Sequence, residues 1–183
     1  MQRNKIQNLT MIALMAAILC VVGPFVVPLG MVPLSLTNMV IYLMVLLLDK
    51  KRATITIAIY LLIGFVGLPV FAGFTAGVGK LLGPTGGFLI GYLALGGIAG
   101  TILDTFSKTK GTGELKMIQM LALSVGTFVL YIIGTVWLMV QSKLTLASAL
   151  SIGVLPFVVF DMIKIVVAIV LGNSIKKRIQ HML

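Results

Sequence analysis

Asp161 and Lys164 lie three residues apart in a run, Leu155 to Leu171, that is otherwise apolar. Helical spacing of that kind puts both side chains on one face, with their Cβ atoms about 5 Å apart. An ionisable group inside a membrane segment costs at least about 2.5–3.5 kcal/mol to insert, which makes it a functional candidate. The two charges could neutralise each other and set helix register. Apolar residues in their place are usually no less stable, however, so self-neutralisation does not explain why the pair is there. A carboxylate acceptor beside an ammonium donor suits a ligand bearing both N–H and C=O groups. It equally suits a zwitterion or an organic anion.

The elements that must position this pair are membrane helices. Of the 183 residues, 60% are hydrophobic and 10% charged, with a mean hydropathy of +1.18. That composition is expected of an all-α integral-membrane protein, here a single domain over residues 1–183 embedded in a lipid bilayer. The net charge of +10 comes from short basic clusters between apolar runs. Such clusters orient membrane segments and do not form a nucleic-acid surface. Arg3 and Lys5 precede an apolar run without a small-x-small cleavage site, so a retained helix is expected, not a signal peptide. The lone Cys20 cannot form an internal disulfide and reads as a packing residue. One histidine (His181, read as a solvated tail residue), one cysteine and four carboxylates supply no metal-ligand cluster, and no cofactor is expected. Gly79-Lys80 lacks the earlier glycine and the following hydroxyl of a phosphate loop. An enzyme would have to work with Asp161 and Lys164 alone.

Six spans are expected: about Leu9–Val27, Leu36–Leu48, Ala53–Leu68, Phe88–Phe106, Leu115–Val140 and Ile152–Ile175. A sharp bend is expected over Pro28-Leu29-Gly30-Met31-Val32-Pro33, and a polar loop from Ser107 to Glu114. The stretch from Gly67 to Gly87 is too apolar for a solvated loop and too rich in glycine for a confident helix. Irregular backbone at membrane depth needs a protein or cavity lining, so a re-entrant or lid-like element over a pocket is expected. Its glycines allow close backbone approach to a ligand. Gly83, Gly87 and Gly91, then Gly96 and Gly100, recur every four residues and mark helix-packing seams, as do Ala13 and Ala17. Ala13 and Ala17 serve either internal packing or the docking of another subunit.

With the N-terminus inside, 11 of the 14 lysines and arginines fall on the cytoplasmic side. The positive-inside rule therefore puts both termini in the cytoplasm. Asp161 precedes Lys176 by 15 residues, or roughly 22 Å of helix, which places it in the outer third of a core about 30 Å thick. The glycine-rich stretch between spans three and four falls on the same outer side.

Several motifs carry a family likeness. Gly67-Leu68-Pro69-Val70-Phe71-Ala72-Gly73, Gly83-Pro84-Thr85-Gly86-Gly87 through Tyr92, Val32-Pro33-Leu34-Ser35-Leu36 and Asp161-Met162-Ile163-Lys164 stand in one chain. In this combination the sequence resembles the BioY family, the biotin-specific S components of energy-coupling factor transporters. The resemblance implies a six-helix S-component bundle in the cell membrane that captures biotin from outside with high affinity. It implies ligand contacts at Asp161, Lys164, Gly73, Gly77, Gly83, Thr85 and Tyr92, with Asp161 accepting from ureido N–H and Lys164 donating to an oxygen. It also implies a transmembrane coupling subunit, which Ala13 and Ala17 would face, and two cytoplasmic ATPases. Phe74 stands where a second glycine is expected from the family, and Thr37 where a glutamine is commoner. An S component for another vitamin and a structural membrane subunit are the alternative readings.

Overall fold

The computed structural model describes residues 2–27, 32–106 and 112–182. The bend expected at residues 28–31, most of the polar loop at 107–111 and the side chain of His181 lie outside the described residues. The described chain is mostly helical with one small hairpin, and its elements are α1 (Gln2–Val22), β1 (Val26–Val27), β2 (Leu34–Ser35), α2 (Thr37–Leu47), α3 (Lys50–Val66), α4 (Val78–Leu82), α5 (Gly86–Phe106), α6 (Thr112–Ser142), α7 (Leu146–Gly153) and α8 (Leu155–Met182).

Among the described residues, four runs are long and apolar enough to cross a bilayer: Lys5–Val22, Gly86–Phe106, Gly113–Ser142 and Leu146–Arg178. The second and third expected spans form as α2 and α3, with 11 and 17 residues. At 1.5 Å per residue they reach only about 16 and 25 Å.

The first span starts and ends earlier than the Leu9–Val27 expected. Helix α1 stops at Val22 because Gly23 and Pro24 follow, and the chain turns into β1, which pairs antiparallel with β2. The last span is divided. Helix α7 ends at Gly153, and α8 starts at Leu155. Pro156 accounts for the break: it has no N–H for the carbonyl one turn back but is tolerated in the first turn of α8. The glycine-rich stretch contains a bridge from Phe71 to Thr75 and the five-residue α4.

One end of the bundle gathers polar side chains. The Arg52 guanidinium donates to the side-chain Oδ1 of Asn8 at 2.7 Å, joining α3 to α1. The Lys50 N–H donates to Asp104 Oδ2 at 3.1 Å, joining α3 to α5. Asp49 caps α3 by accepting from the Arg52 N–H at 2.8 Å. Burial raises the Asp49 carboxyl pKa, but the Arg52 hydrogen bonds and charge outweigh it and hold the group below its usual value. Gln119 and Lys176 line the same end as Asp49, Arg52 and Asp104, so α6 begins and α8 finishes here.

The glycine seam of α5 faces two neighbours. A Cβ on Gly87 would come 2.2 Å from Trp137 Cβ on α6, and one on Gly100 would come 2.8 Å from Lys50 Cα on α3. The second contact is with backbone, which cannot rotate aside. Gly100→Leu is therefore expected to lower the thermal midpoint in detergent by several degrees, with a cost of about 1–3 kcal/mol from overpacking. An unchanged midpoint would show that α3 and α5 are not held at this separation.

Candidate functional site

Helix α8 carries Asp161 and Lys164 in its second and third turns and turns them into the bundle, where they are 2% and 8% exposed. Lys164 Nζ stands 2.9 Å from Asp161 Oδ1, so the i,i+3 pair closes as an ion pair. Three other elements complete its surroundings. From α2, Asn38 Nδ2 donates to Asp161 Oδ2 at 3.0 Å. From α6, the Tyr131 hydroxyl donates to the same oxygen at 2.7 Å. From β2, the Ser35 carbonyl accepts from Lys164 Nζ at 2.7 Å. The hairpin matters here because its register, with Ser35 opposite Val26, holds that carbonyl over the end of α8. Ser35 Oγ also accepts from the Thr37 N–H at 3.0 Å, which fixes the entry into α2 one residue before Asn38.

A buried carboxylate thus receives one charged and two neutral donors, and a buried ammonium has two acceptors. Such compensation is what permits two charges at low dielectric. The pair forms one wall of an open cavity. Phe88, Leu89, Leu130 and Phe157 supply apolar walls, while Ala72, Lys80 and Thr85 reach it from the glycine-rich stretch. Burial lowers the pKa of the Lys80 ammonium from its usual value. The end of the bundle that holds this cavity is opposite the polar end described above, since α8 runs between them.

Of the residues expected from the sequence, Asp161, Lys164, Thr85 and Tyr92 line the cavity, and Gly73, Gly77 and Gly83 do not. The three glycines anchor the loop to its neighbours. The Gly73 N–H donates to the Pro24 carbonyl at 2.9 Å, and the Gly77 N–H to the Gly64 carbonyl at 2.7 Å. Gly83 offers its carbonyl to Trp137 Nε1 at 2.9 Å, pinning the loop to α6. Both departures from the family pattern have visible consequences. Phe74 takes a left-handed backbone with φ of 57°, a conformation that favours glycine, and its ring meets Phe25 edge-on at 5.5 Å. Thr37 lies outside the cavity lining and pairs its hydroxyl with that of Ser35 at 2.5 Å.

Asn38, Tyr131 and Ser35 were not expected from the sequence. Asn38 did carry a signal, as a strongly polar side chain opening an apolar helix. Ala13 and Ala17 are both exposed, whereas Met15, Ala16 and Leu19 on the same helix are buried in the core. The small-residue face of α1 is therefore turned away from the bundle.

A family model described as the BioY family matches residues 1–181. The biotin transporter BioY2 of Lactococcus lactis subsp. cremoris is 35% identical over 182 residues, covering 99% of this chain and 96% of the relative. The biotin transporter BioY of Thermotoga maritima is 35% identical over 165 residues, covering 87% and 90%. The crystal structure of the S-component for biotin from an ECF-type ABC transporter superposes with a TM-score of 0.86 at 29% identity, over 97% of this chain and 94% of that one.

Proposed function

The chain belongs to the BioY family, and from that premise we infer that it is the biotin-binding membrane subunit of an ATP-driven vitamin importer. It is a transporter component and not an enzyme. The observation that carries the ligand assignment is the partly filled valence of the buried pair. A carboxylate has about four acceptor positions and an ammonium three donors. The described bonds use three of the former and two of the latter. One acceptor position and one N–H remain, side by side. A cyclic urea fits that remainder: its N–H donates to Asp161 and its C=O accepts from Lys164. Phe88, Leu130 and Phe157 cover the apolar body of the ligand, and Lys80 at the loop wall offers a cation to its carboxylate. Thr85 and Tyr92 line the same space. The loop bearing Gly73, Gly77 and Gly83 closes over it.

The finer architecture belongs to the same reading. Helices α1, α2, α3, α5, α6 and α8 cross the cell membrane six times as a single domain, with both termini in the cytoplasm. The distribution of lysine and arginine supports this orientation. The clustering of Asn8, Arg52, Asp104 and Lys176 at one end agrees with it. The biotin cavity then opens outward. Ala13 and Ala17 face a transmembrane coupling subunit, and two cytoplasmic ATPases supply the energy for inward delivery.

The purified chain, offered biotin, riboflavin and thiamine in turn, is expected to bind biotin alone, at one molecule per chain. Preference for either other vitamin would reassign the substrate. The 2.9 Å contact between Asp161 and Lys164 also fits a pair that only fixes helix register. That reading predicts no saturable ligand in the same panel.

A further inference from the structure

A groove between α6 and α8 lies toward the end of the bundle where α8 finishes, and it is graded in its chemistry. Ile169 and Val170 line its apolar part, Asn173 and Ser174 follow, and Lys116 and Lys177 stand at its polar mouth. Ile169 is buried as the floor, and Val170 is exposed as the outer wall, so the apolar part opens sideways toward lipid. From Ile169 to Lys177 the groove follows two turns of α8, about 12 Å. The polar middle is rigid. Asn173 and Gln119 exchange two amide hydrogen bonds, of 2.9 and 3.0 Å, which lock α6 to α8 and leave Asn173 a second N–H.

We propose that this groove binds one anionic phospholipid of the adjoining leaflet. Lys116 and Lys177 face the phosphate, the free N–H of Asn173 meets the ester region, and an acyl chain lies along Ile169 and Val170. Charge complementarity selects an anionic headgroup, and a basic pocket between membrane helices at the bilayer surface is the usual form of such a site. The apolar half selects a lipid over a soluble phosphate, which would leave that half unfilled. The site lies at the opposite end of α8 from Asp161 and does not depend on the identity of the vitamin.

Native mass spectrometry of the purified full chain, equilibrated with phosphatidylglycerol and phosphatidylcholine, tests this. The wild type is expected to retain phosphatidylglycerol about thirtyfold over phosphatidylcholine, on the scale of two lysines near an anionic headgroup. The double variant Lys116→Ala/Lys177→Ala is expected to lose most of that preference. Lys50→Ala/Lys51→Ala, which removes equal charge at the same end outside the groove, is expected to keep it. A thermal midpoint within a few degrees of wild type reports that each variant is folded, and Lys116→Gln/Lys177→Gln replaces an alanine variant that is not. Retained preference in the groove variant overturns the proposal. Equal loss in both double variants overturns it too, since the effect would then belong to general surface charge. Displacement of the lipid by glycerol phosphate at matched concentration would assign the lysines to a soluble anion instead.

Discussion

Asp161→Asn is expected to weaken biotin binding by about tenfold to a hundredfold while leaving the protein folded. The substitution keeps shape and most hydrogen-bonding capacity but removes the charge that balances Lys164, 2.9 Å away. It also replaces an acceptor oxygen with a donor nitrogen, which meets the donors of Asn38 and Tyr131 or the ligand N–H. A hydrogen bond to a charged group is worth about 1.5–3 kcal/mol net, which sets that range. Lys164→Ala is expected to act similarly by stranding the carboxylate, since breaking one side of a buried pair leaves an uncompensated charge. Equilibrium titration with biotin reads the affinity, and size-exclusion elution with the thermal midpoint reads the fold. Wild-type affinity in both variants would remove the assigned site. Unfolding of both without a separable binding defect would favour the register-only role.

Ala13→Trp is expected to abolish assembly with the coupling subunit and leave biotin affinity within about twofold. Both alanines are exposed on a helix whose opposite side, at Met15 and Leu19, is packed into the core. A bulky ring on that face obstructs the close backbone approach that small residues allow between membrane helices, without touching the cavity on α2, α6 and α8. Co-purification of the complex measures the first effect, and titration of the isolated chain the second. Loss of biotin affinity with intact assembly would place the face inside the binding unit.

The charged pair, the glycine seams and the long helices were legible in the sequence because each follows from local composition. Helix α5 was expected from Phe88 to Phe106 and forms from Gly86 to Phe106. The ends of α1 and α7 were less legible. Gly23-Pro24 and Pro156 mark breaks, but hydropathy runs straight through them, and only backbone hydrogen bonding decides where a helix stops. The partners of Asp161 were hidden for another reason. Asn38 is 123 residues away and Tyr131 30, so their convergence depends on how α2 and α6 pack on α8, which spacing along one helix cannot report. The glycine-rich stretch was expected to lie over a pocket, and it presents Ala72, Lys80 and Thr85 to the cavity, while Gly73 and Gly77 use their N–H groups to tie the loop to Pro24 and to Gly64 of α3.

In the proposed site, the open acceptor position on Asp161 and the open N–H on Lys164 together read a ureido group. Isothermal titration of the wild-type chain with biotin, and with biotin methylated at its ureido nitrogens, tests this without altering the protein. Saturable one-to-one binding of biotin is predicted, with a loss of about tenfold or more for the methylated compound, the value of a hydrogen bond to a buried charge. Equal affinity for both ligands, or no saturable binding of biotin, would contradict it.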